Sequence, residues 1–298
     1  MIRARNQRGF VSLGCLATMA AFTALNRATD STVSAPQPAK PAHEGHIVVQ
    51  SGEVKPWQDS FDAGNAVYQS GRYQEAYKMW AETLKLAEHQ KAASKFDDAR
   101  ALPILDKMAL LYKTQNQPEK AAEMYERSIA IASKAYGKSS TQVAHLMLLL
   151  SHEFLYGAGK DLMKAEELLT EAFEINEKIY GRMTIPAGDV AIALAQLEED
   201  RKDFKKAAEY WKLAVDIGNI CEPNVISCCR IGPRQGLSRC YQKLGLLDDA
   251  LDVHKELVAM CKQGAQNMLP TVLTAYSECL EQAGRHTEAV TVLAEIKH

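Results

Sequence analysis

The sequence predicts an all-α solenoid of about six stacked helix-turn-helix repeats, preceded by a signal segment and a disordered linker. Three observations predict the solenoid: alanines recur every 39 to 45 residues, a turn-forming residue precedes each alanine, and apolar residues flank each alanine at helical spacing. The alanines are Ala76, Ala121, Ala165, Ala207, Ala250 and Ala289. Self-similarity at a period of roughly 20–50 residues is the signature of a repeat architecture.

Residues 1–28 predict a signal peptide or an N-terminal anchor. Residues 1–8 are basic and residues 9–26 are uncharged with an apolar middle, which is the order found in secretory signals. No clear cleavage site follows, so an uncleaved membrane anchor remains open. The acid-free, arginine-bearing start also fits a mitochondrial transit peptide. We expect an exported protein (periplasmic, in the cell envelope or secreted), with a membrane-anchored or mitochondrial location as the alternatives.

Residues 29–57 form the predicted linker. Pro36, Pro38, Pro41 and Pro56 are separated mostly by small and polar residues. Such a segment has too few apolar side chains to offset the entropy lost on ordering. We therefore expect a disordered tether between the N-terminal segment and the repeat domain at 58–298.

Each period of the repeat domain predicts two helices. The predicted repeats span about 58–94, 99–137, 142–181, 188–220, 229–264 and 268–298. In the fifth, Leu237, Cys240, Tyr241 and Leu244 recur at three- and four-residue intervals and predict one apolar stripe on a first helix. Gly245 then marks the turn, and Ala250 begins the apolar face of a second helix. One such hairpin cannot cover its own apolar face, so neighbours must stack.

A turn-forming residue stands five residues before each of the alanines. These residues are Gly71, Asn116, Lys160, Lys202, Gly245 and Gly284. The third period is the least regular, because the sequence at 157–160 (Gly-Ala-Gly-Lys) suggests a looser or longer turn. Tyr136-Gly137 and Tyr180-Gly181 close the second and third periods in matching fashion.

This pattern resembles the tetratricopeptide repeat. Gly64, Gly71, Tyr73, Ala76 and Trp80 match its small and aromatic positions. The period is longer than the usual ~34 residues. In this respect the repeats resemble the long versions found in kinesin light chains and in many bacterial repeat proteins, and the resemblance covers roughly four-fifths of the chain.

The resemblance implies a protein-protein interaction scaffold that holds a partner peptide or helix in a groove lined by the first helices. By position-matching, this groove should present Asn65, Tyr68, Lys113, Leu150, Phe154, Gln196, Glu199, Arg239, Lys243 and Glu278. This mixture of apolar and charged residues fits a partner that is partly apolar and not uniformly charged.

The carboxylate clamp of chaperone-binding members is mostly missing. Only Asn65 matches it, whereas Phe61, Lys107, Met147 and Ser151 occupy its other positions. A chaperone tail is therefore not the expected ligand. A permanent structural role in a cell-envelope complex is the alternative function.

No catalytic template is evident, so we expect neither an enzyme nor a cofactor nor a metal site. The segment Ala132–Ser139 satisfies a loose phosphate-loop pattern, and it is the one place where a nucleotide-binding enzyme could be argued. It continues a predicted helix, however, whereas a phosphate loop lies between a strand and a helix. The net charge of −2 without a basic field argues against nucleic acid.

Six of the seven cysteines lie between residues 221 and 279. In an exported protein, Cys221 could form a disulfide with Cys228 or Cys229 across the loop between the fourth and fifth repeats. Cys240 and Cys279 lie at equivalent positions of adjacent repeats, too far apart for a bond. The alternative is that all six are reduced thiols in a reducing compartment.

Overall fold

A computed structural model describes residues 56–89, 98–157, 159–222 and 228–297, and this part of the chain is helical without any strand. The predicted signal segment and nearly all of the predicted linker lie outside the described residues. Twelve α-helices follow one another: α1 (Pro56–Gln69), α2 (Tyr73–His89), α3 (Leu102–Thr114), α4 (Pro118–Tyr136), α5 (Thr141–Tyr156), α6 (Leu162–Tyr180), α7 (Ile185–Arg201), α8 (Phe204–Cys221), α9 (Cys228–Leu244), α10 (Leu247–Gly264), α11 (Leu269–Gln282) and α12 (His286–Ala294). Short 3-10 turns precede α3 and α11 and follow α12.

The helices form six consecutive hairpins, each made of a first helix (α1, α3, α5, α7, α9, α11) and a second helix. Within the described residues, each helix packs extensively against the next one along the chain, and α5 also contacts α7. Packing confined to near neighbours is the defining property of a solenoid. The predicted all-α solenoid of about six repeats is confirmed. Two first helices, α1 at Pro56 and α7 at Ile185, begin two or three residues before the predicted repeat starts.

The alanines that define the repeat lie where the two helices of each hairpin meet. All six are 0% exposed, as the period predicts. The bulky residue one turn later fills the space beside the alanine and is at most 3% exposed in the first five repeats: Trp80, Tyr125, Leu169, Trp211 and His254. The small side chain thus permits close approach, and the large one completes the packing.

Five of the six hairpin turns use a residue in the left-handed backbone region. Gly71, Gly245 and Gly284 have φ of 82°, 76° and 73°, while Asn116 and Lys202 adopt 56° and 64°. Glycine and asparagine enter this region at little cost, whereas lysine does so with some strain. The third turn differs, because it runs from Gly157 to Asp161 and Lys160 is not left-handed.

Capping aspartates and glycines mark the ends of several helices. Asp161 and Asp203 cap α6 and α8 by accepting the backbone N–H groups of Lys164 and Lys206, each at 3.1 Å. Gly137 and Gly181 follow the last residues of α4 and α6 with φ of 94° and 88°. The matching Tyr-Gly pairs therefore mark matching helix ends, as the sequence indicates.

Two tryptophans pack against glycines on neighbouring helices. A Cβ atom added to Gly64 of α1 would lie 2.6 Å from the ring of Trp80 in α2. A Cβ atom added to Gly236 of α9 would lie 2.3 Å from the ring of Trp211 in α8, so this contact joins the fourth repeat to the fifth. At both places only the hydrogen of a glycine leaves room for the indole.

Replacing Gly236 by alanine should therefore destabilise the protein, although alanine favours a helix. We expect Gly236→Ala to lower the free energy of unfolding by about 1–3 kcal/mol, because the new methyl group overlaps the Trp211 ring. The matched control is Gly232→Ala in the same helix, where an added Cβ meets no atom within 4 Å. This change should raise the free energy of unfolding by about 0.5–1 kcal/mol through helix propensity. Urea unfolding measures both, and equal effects would contradict the packing described.

Candidate functional site

The solvent-facing sides of successive first helices form a continuous surface, which we call the first-helix face. Its residues in the second to fifth repeats are polar and mostly ionisable: Asp106, Lys113, His145, His152, Tyr156, Asp189, Gln196, Glu199, Arg239 and Lys243. Because equivalent positions recur about every 40 residues, side chains of neighbouring repeats meet across it. The first-helix face is therefore one part of the described chain where polar groups of different repeats converge.

Several polar side chains on or beside this face form contacts between neighbouring repeats. The Lys113 ammonium lies 2.8 Å from the Glu153 carboxylate, and Glu153 is only 7% exposed. The Lys160 ammonium lies 3.0 Å from the Asp200 carboxylate. The Tyr156 hydroxyl donates to the side-chain oxygen of Gln196. Each contact joins residues 40 apart, so these links fix one repeat against the next.

Glu199 is the centre of the most connected of these links. Its Oε1 accepts the indole N–H of Trp211 at 2.6 Å, and both carboxylate oxygens accept the Arg239 guanidinium at 2.9–3.2 Å. The Cys240 thiol also lies 3.6 Å from Oε1. A carboxylate with this many donors has little capacity left for a ligand. Glu199 and Arg239 therefore hold the fourth and fifth repeats together.

A second group on the face is desolvated. Burial raises the pKa of Asp106, and burial together with Glu222 raises the pKa of Asp189 to about 6. Burial also lowers the pKa of His145, and burial reinforced by Lys113 and His145 lowers the pKa of His152 to about 4. Asp106, His145 and Asp189 are nevertheless exposed. Burial by neighbouring side chains therefore disfavours the charged form of each of these four groups.

The predicted groove residues differ in what their side chains contact. Lys113, Gln196, Glu199 and Arg239 lie on the first-helix face but are engaged between repeats, as described above. Tyr68 packs against the rings of Tyr73 and Trp80, with centroids 5.1 and 5.4 Å away.

The remaining predicted residues have fewer contacts. Asn65 is half-buried, and its Oδ1 is buried without a hydrogen-bond donor among the described residues. Phe154 is half-buried beneath the Lys164 ammonium, 5.3 Å from its ring centroid. Lys243 and Glu278 are exposed. Binding by these positions stays a prediction.

Leu150 requires a correction. It is 4% exposed and packs with Ala109, Ala121 and Tyr125 in the core, so its side chain does not line the first-helix face. The exposed or half-exposed polar residues of α5 include Gln142, His145, His152 and Tyr156 instead. The helix α5 ends nine residues before its alanine, whereas the other first helices end six or seven residues before theirs. The sequence-based prediction missed both histidines for this reason, and missed Asp106 and Asp189 because it matched positions nearer the turns.

The possible phosphate loop is largely helical. Residues Ala132 to Tyr136 belong to α4, and the Gly137 N–H donates to the Ser133 carbonyl at 3.0 Å. Because these amides are bonded within or onto the helix, the first half of the pattern cannot cradle a phosphate. The described residues contain no group of three or more side chains placed to hold a metal ion.

The cysteines of the described chain are separate thiols. Cys240, Cys261 and Cys279 are buried and unbonded, and burial raises the pKa of each. Cys221 lies at the end of α8, where its Sγ is 3.5 Å from the Met183 carbonyl oxygen. The side chains of Cys228 and Cys229 lie outside the described residues, so the predicted disulfide stays a prediction. Among the described helices, none combines the length and apolarity needed to cross a bilayer.

The comparisons with known proteins agree with the repeat assignment. Residues 104–142, which span α3, α4 and the start of α5, match the sequence profile of the tetratricopeptide repeat. No curated protein matches the chain.

Three solved structures show the same fold. BtubC (BKLC) from P. vanneervenii is 19% identical with a TM-score of 0.61, covering 70% of this chain and 80% of that one. Repeats of a putative kinesin light chain from Podosopora anserina are 19% identical with a TM-score of 0.59, covering 67% and 94%. A Rap protein complexed with competence and sporulation factor is 14% identical with a TM-score of 0.52, covering 83% and 77%. The predicted likeness to tetratricopeptide repeats of the kinesin-light-chain type is confirmed.

The lowered pKa of buried His254 predicts that the packing between the last two repeats is less stable in acid. Its Nε2 lies 2.8 Å from Ser238 Oγ, and its ring stacks on Tyr276 of α11 at 5.7 Å. Burial lowers its pKa from 6.5 to about 4. Below pH 6.5 the unfolded chain therefore binds a proton that the folded chain does not, so stability falls with pH until about pH 4.

We expect His254→Leu to remove this contribution, since leucine fills the same position in the third repeat as Leu169. The free energy of unfolding of the variant minus that of the wild type should rise by up to about 1.4 kcal/mol for each unit by which the pH falls between 6.5 and 4. Urea unfolding at several pH values measures the difference. Leu257→Val, a change one turn away that introduces no titrating group, should leave the pH dependence unchanged. Parallel pH profiles for wild type and His254→Leu would show that His254 is not the group responsible.

Proposed function

We propose that this tetratricopeptide-repeat solenoid is a scaffold that holds a peptide segment of a partner protein on its first-helix face. The fold supports the proposal, because stacked helical hairpins offer an extended surface on which neighbouring repeats each add contacts. A solved relative by fold, the Rap protein, is complexed with competence and sporulation factor. The partner's identity is left open by this likeness, which is one of fold alone.

The observation that carries the proposal is the set of ionisable groups Asp106, His145, His152 and Asp189 on the first-helix face. Burial shifts the pKa of each toward its neutral form, and unlike Glu199 and Arg239 they are not tied into a bidentate ion pair between repeats. Ionisable groups with shifted pKa values are characteristic of binding sites. Neutral imidazoles at physiological pH offer both a donor and an acceptor, while the two carboxyls attract donors and positive charge.

The partner segment that fits these groups is partly apolar and bears hydrogen-bond donors or a basic side chain. Apolar contacts are available at the edges of the face from Phe154 and Ile192, which are half-buried. The face carries acids alongside Lys113, Arg239 and Lys243, so a uniformly charged polymer such as nucleic acid is a poor match. Binding rather than catalysis is the function we infer, with neither cofactor nor metal taking part.

We propose that the protein is exported. The basic residues 1–8 followed by the uncharged residues 9–26 support this proposal. Contact with a membrane would then be limited to an uncleaved anchor in this segment.

Charge reversal at Asp106 and Asp189 should weaken peptide binding. Peptides selected from a random display library against the wild type should bind the double variant Asp106→Lys/Asp189→Lys at least about tenfold more weakly, since two attracting carboxyls become repelling ammonium groups. Isothermal titration calorimetry measures the affinity, and thermal melting checks the fold.

The control carries the same charge change on the other side of the solenoid. Glu167 and Glu174 are exposed on α6, a second helix, and Glu167→Lys/Glu174→Lys should leave the affinity within about twofold of the wild type. Peptides that bind the Asp106→Lys/Asp189→Lys variant normally but lose affinity for the α6 variant would place the binding site elsewhere.

Export has two consequences that mass spectrometry can check together. Protein recovered from the culture medium or the cell envelope should lack the N-terminal segment or retain it as an anchor. It should also be two hydrogens lighter without reductant, with a peptide linking Cys221 to Cys228 or Cys229. Protein found in the cytoplasm with every thiol free would contradict export and remove the basis for the disulfide.

A further inference from the structure

Large apolar side chains are exposed along one edge of the solenoid, where a second helix ends and the next first helix begins. In the second to fourth repeats they follow one another along the chain, and each is between 37% and 61% exposed: Tyr136, Ile179, Tyr180, Met183, Ile185 and Ile220. We call these residues the inter-repeat edge. Described hairpins precede and follow it, so its exposure does not come from an end of the chain.

The helix ends do not need these side chains in order to form. Ile179 and Tyr180 stand 14 and 15 residues after their alanine, at the end of α6. At the same two positions the fifth repeat has Gly264 and Ala265, and α10 ends there without a large apolar residue. Exposed apolar side chains that the packing does not use, gathered on one surface, mark a site of association.

The backbone beneath the inter-repeat edge is held by contacts on both sides. The side-chain amide of buried Asn176, in α6, donates to the Pro186 carbonyl at the start of α7, at 3.3 Å. The Cys221 thiol, at the end of α8, lies 3.5 Å from the Met183 carbonyl oxygen. The loop between α6 and α7 is thereby tied to both of its neighbouring helices. A surface that is ordered before it binds loses less entropy on association.

The charged residues among these apolar side chains are mainly basic. Residues 134–140 and 177–184 contain four basic residues and one acid, whereas the whole chain has a net charge of −2. Lys138, Lys178 and Arg182 are exposed, and none of the three forms a salt bridge with another residue of the described ranges. Basic groups elsewhere, such as Lys160 and Arg239, are paired. Unpaired cations beside an apolar surface complement a partner with acidic side chains.

Arg182 is already oriented for such a partner. Its guanidinium lies over the ring of Phe173, 5.9 Å from the centroid. A guanidinium held in this way keeps its N–H groups in a fixed plane, which matches the two oxygens of a carboxylate. Tyrosine, methionine and arginine are also the residue types enriched in protein interfaces. The composition of the edge therefore favours a protein partner that carries carboxylates.

The spacing of the repeats matches the spacing of residues along a helix. Tyr136 and Tyr180 each stand 15 residues after their alanine, so they occupy equivalent points of adjacent repeats. Packed helices are roughly 10 Å apart, and seven residues of an α-helix rise about 10.5 Å. A helix with apolar residues seven apart along one face can therefore contact both tyrosines.

We propose that the inter-repeat edge binds an acidic amphipathic helix of a partner protein. The apolar stripe of that helix covers the apolar residues of the edge, and its flanking carboxylates pair with Lys138, Lys178 and Arg182. An anionic lipid surface is a poorer match, because Glu174 and Glu177 are exposed near the same end of α6 and would face the headgroups. The proposal does not depend on what the first-helix face binds.

Selection from a displayed library of helical peptides tests the proposal. Each peptide has about 20 residues, long enough for a helix of ~30 Å, with apolar residues on one face and charged residues of either sign on the others. Peptides that bind the full wild-type chain are counter-selected against Ile179→Ser/Tyr180→Ser, which removes the apolar contact without adding charge. The peptides that remain should carry an excess of acidic residues flanking apolar residues seven apart.

Fluorescence anisotropy then gives the dissociation constants of the selected peptides. Ile179→Ser/Tyr180→Ser should raise the dissociation constant at least about tenfold. Arg182→Glu should raise it at least about fivefold, and by less at high salt, since it reverses a charge at the surface. The matched control is Met163→Ser/Leu246→Ser, because these residues are 65% and 45% exposed at the hairpin-turn end of the solenoid. The control should leave the dissociation constant within about twofold of the wild type.

Three results would overturn the proposal, with thermal melting used to check that every variant is folded. The first is that no peptide is lost on the Ile179→Ser/Tyr180→Ser variant. The second is that basic peptides are selected in place of acidic ones. The third is co-sedimentation of the wild type with vesicles of phosphatidylcholine and phosphatidylserine that the same double substitution abolishes, since this result would assign the edge to a lipid surface.

Discussion

Close approach between neighbouring helices is the constraint on which this structure depends. A hairpin of two amphipathic helices has more apolar surface than it can cover, and it becomes stable only when the next hairpin packs against it. The alanine of each repeat sets the distance within the hairpin, and the bulky residue one turn later reaches the neighbour. Gly236 beside Trp211 shows the same rule between repeats, because a single added carbon would overlap the indole.

Polar contacts then fix the rotation of one repeat against the next. Lys113 with Glu153 and Glu199 with Arg239 join first helices of successive repeats. Apolar packing alone is tolerant of small rotations, whereas a bidentate guanidinium-carboxylate contact is directional. These links engage part of the first-helix face in the fold, and the proposed binding surface uses the remainder, which includes His152 and Asp189.

The sequence was sufficient for the fold because its signals are local. Ala250 and Gly245 specify a small contact and a left-handed turn whatever their neighbours are, and both lie where the repeat predicts. The candidate site was only partly predictable. Leu150 was placed on the face by counting back from the alanine, but the turn after α5 is two or three residues longer than the other turns. Each residue of offset rotates a position around the helix axis by about 100°.

The contacts of Glu199 with Trp211 and Arg239 could not be predicted from the sequence either. It depends on the offset between helices 40 residues apart, which the repeat period gives only to within a few residues. Burial of His254 was foreseeable from its position in the repeat. The burial that raises the pKa of Asp189 was not foreseeable, because it arises from the surrounding repeats together.

Denaturant unfolding of a series shortened by whole repeats tests the central claim most directly. Chains ending at residues 264, 222 and 181 keep five, four and three repeats of the described domain. Nearest-neighbour stacking predicts that each remains folded, that the free energy of unfolding and its denaturant dependence fall in similar steps, and that the single hairpin 228–264 does not fold. An isolated hairpin with stable native helicity, or complete unfolding on loss of the sixth repeat, would contradict the account.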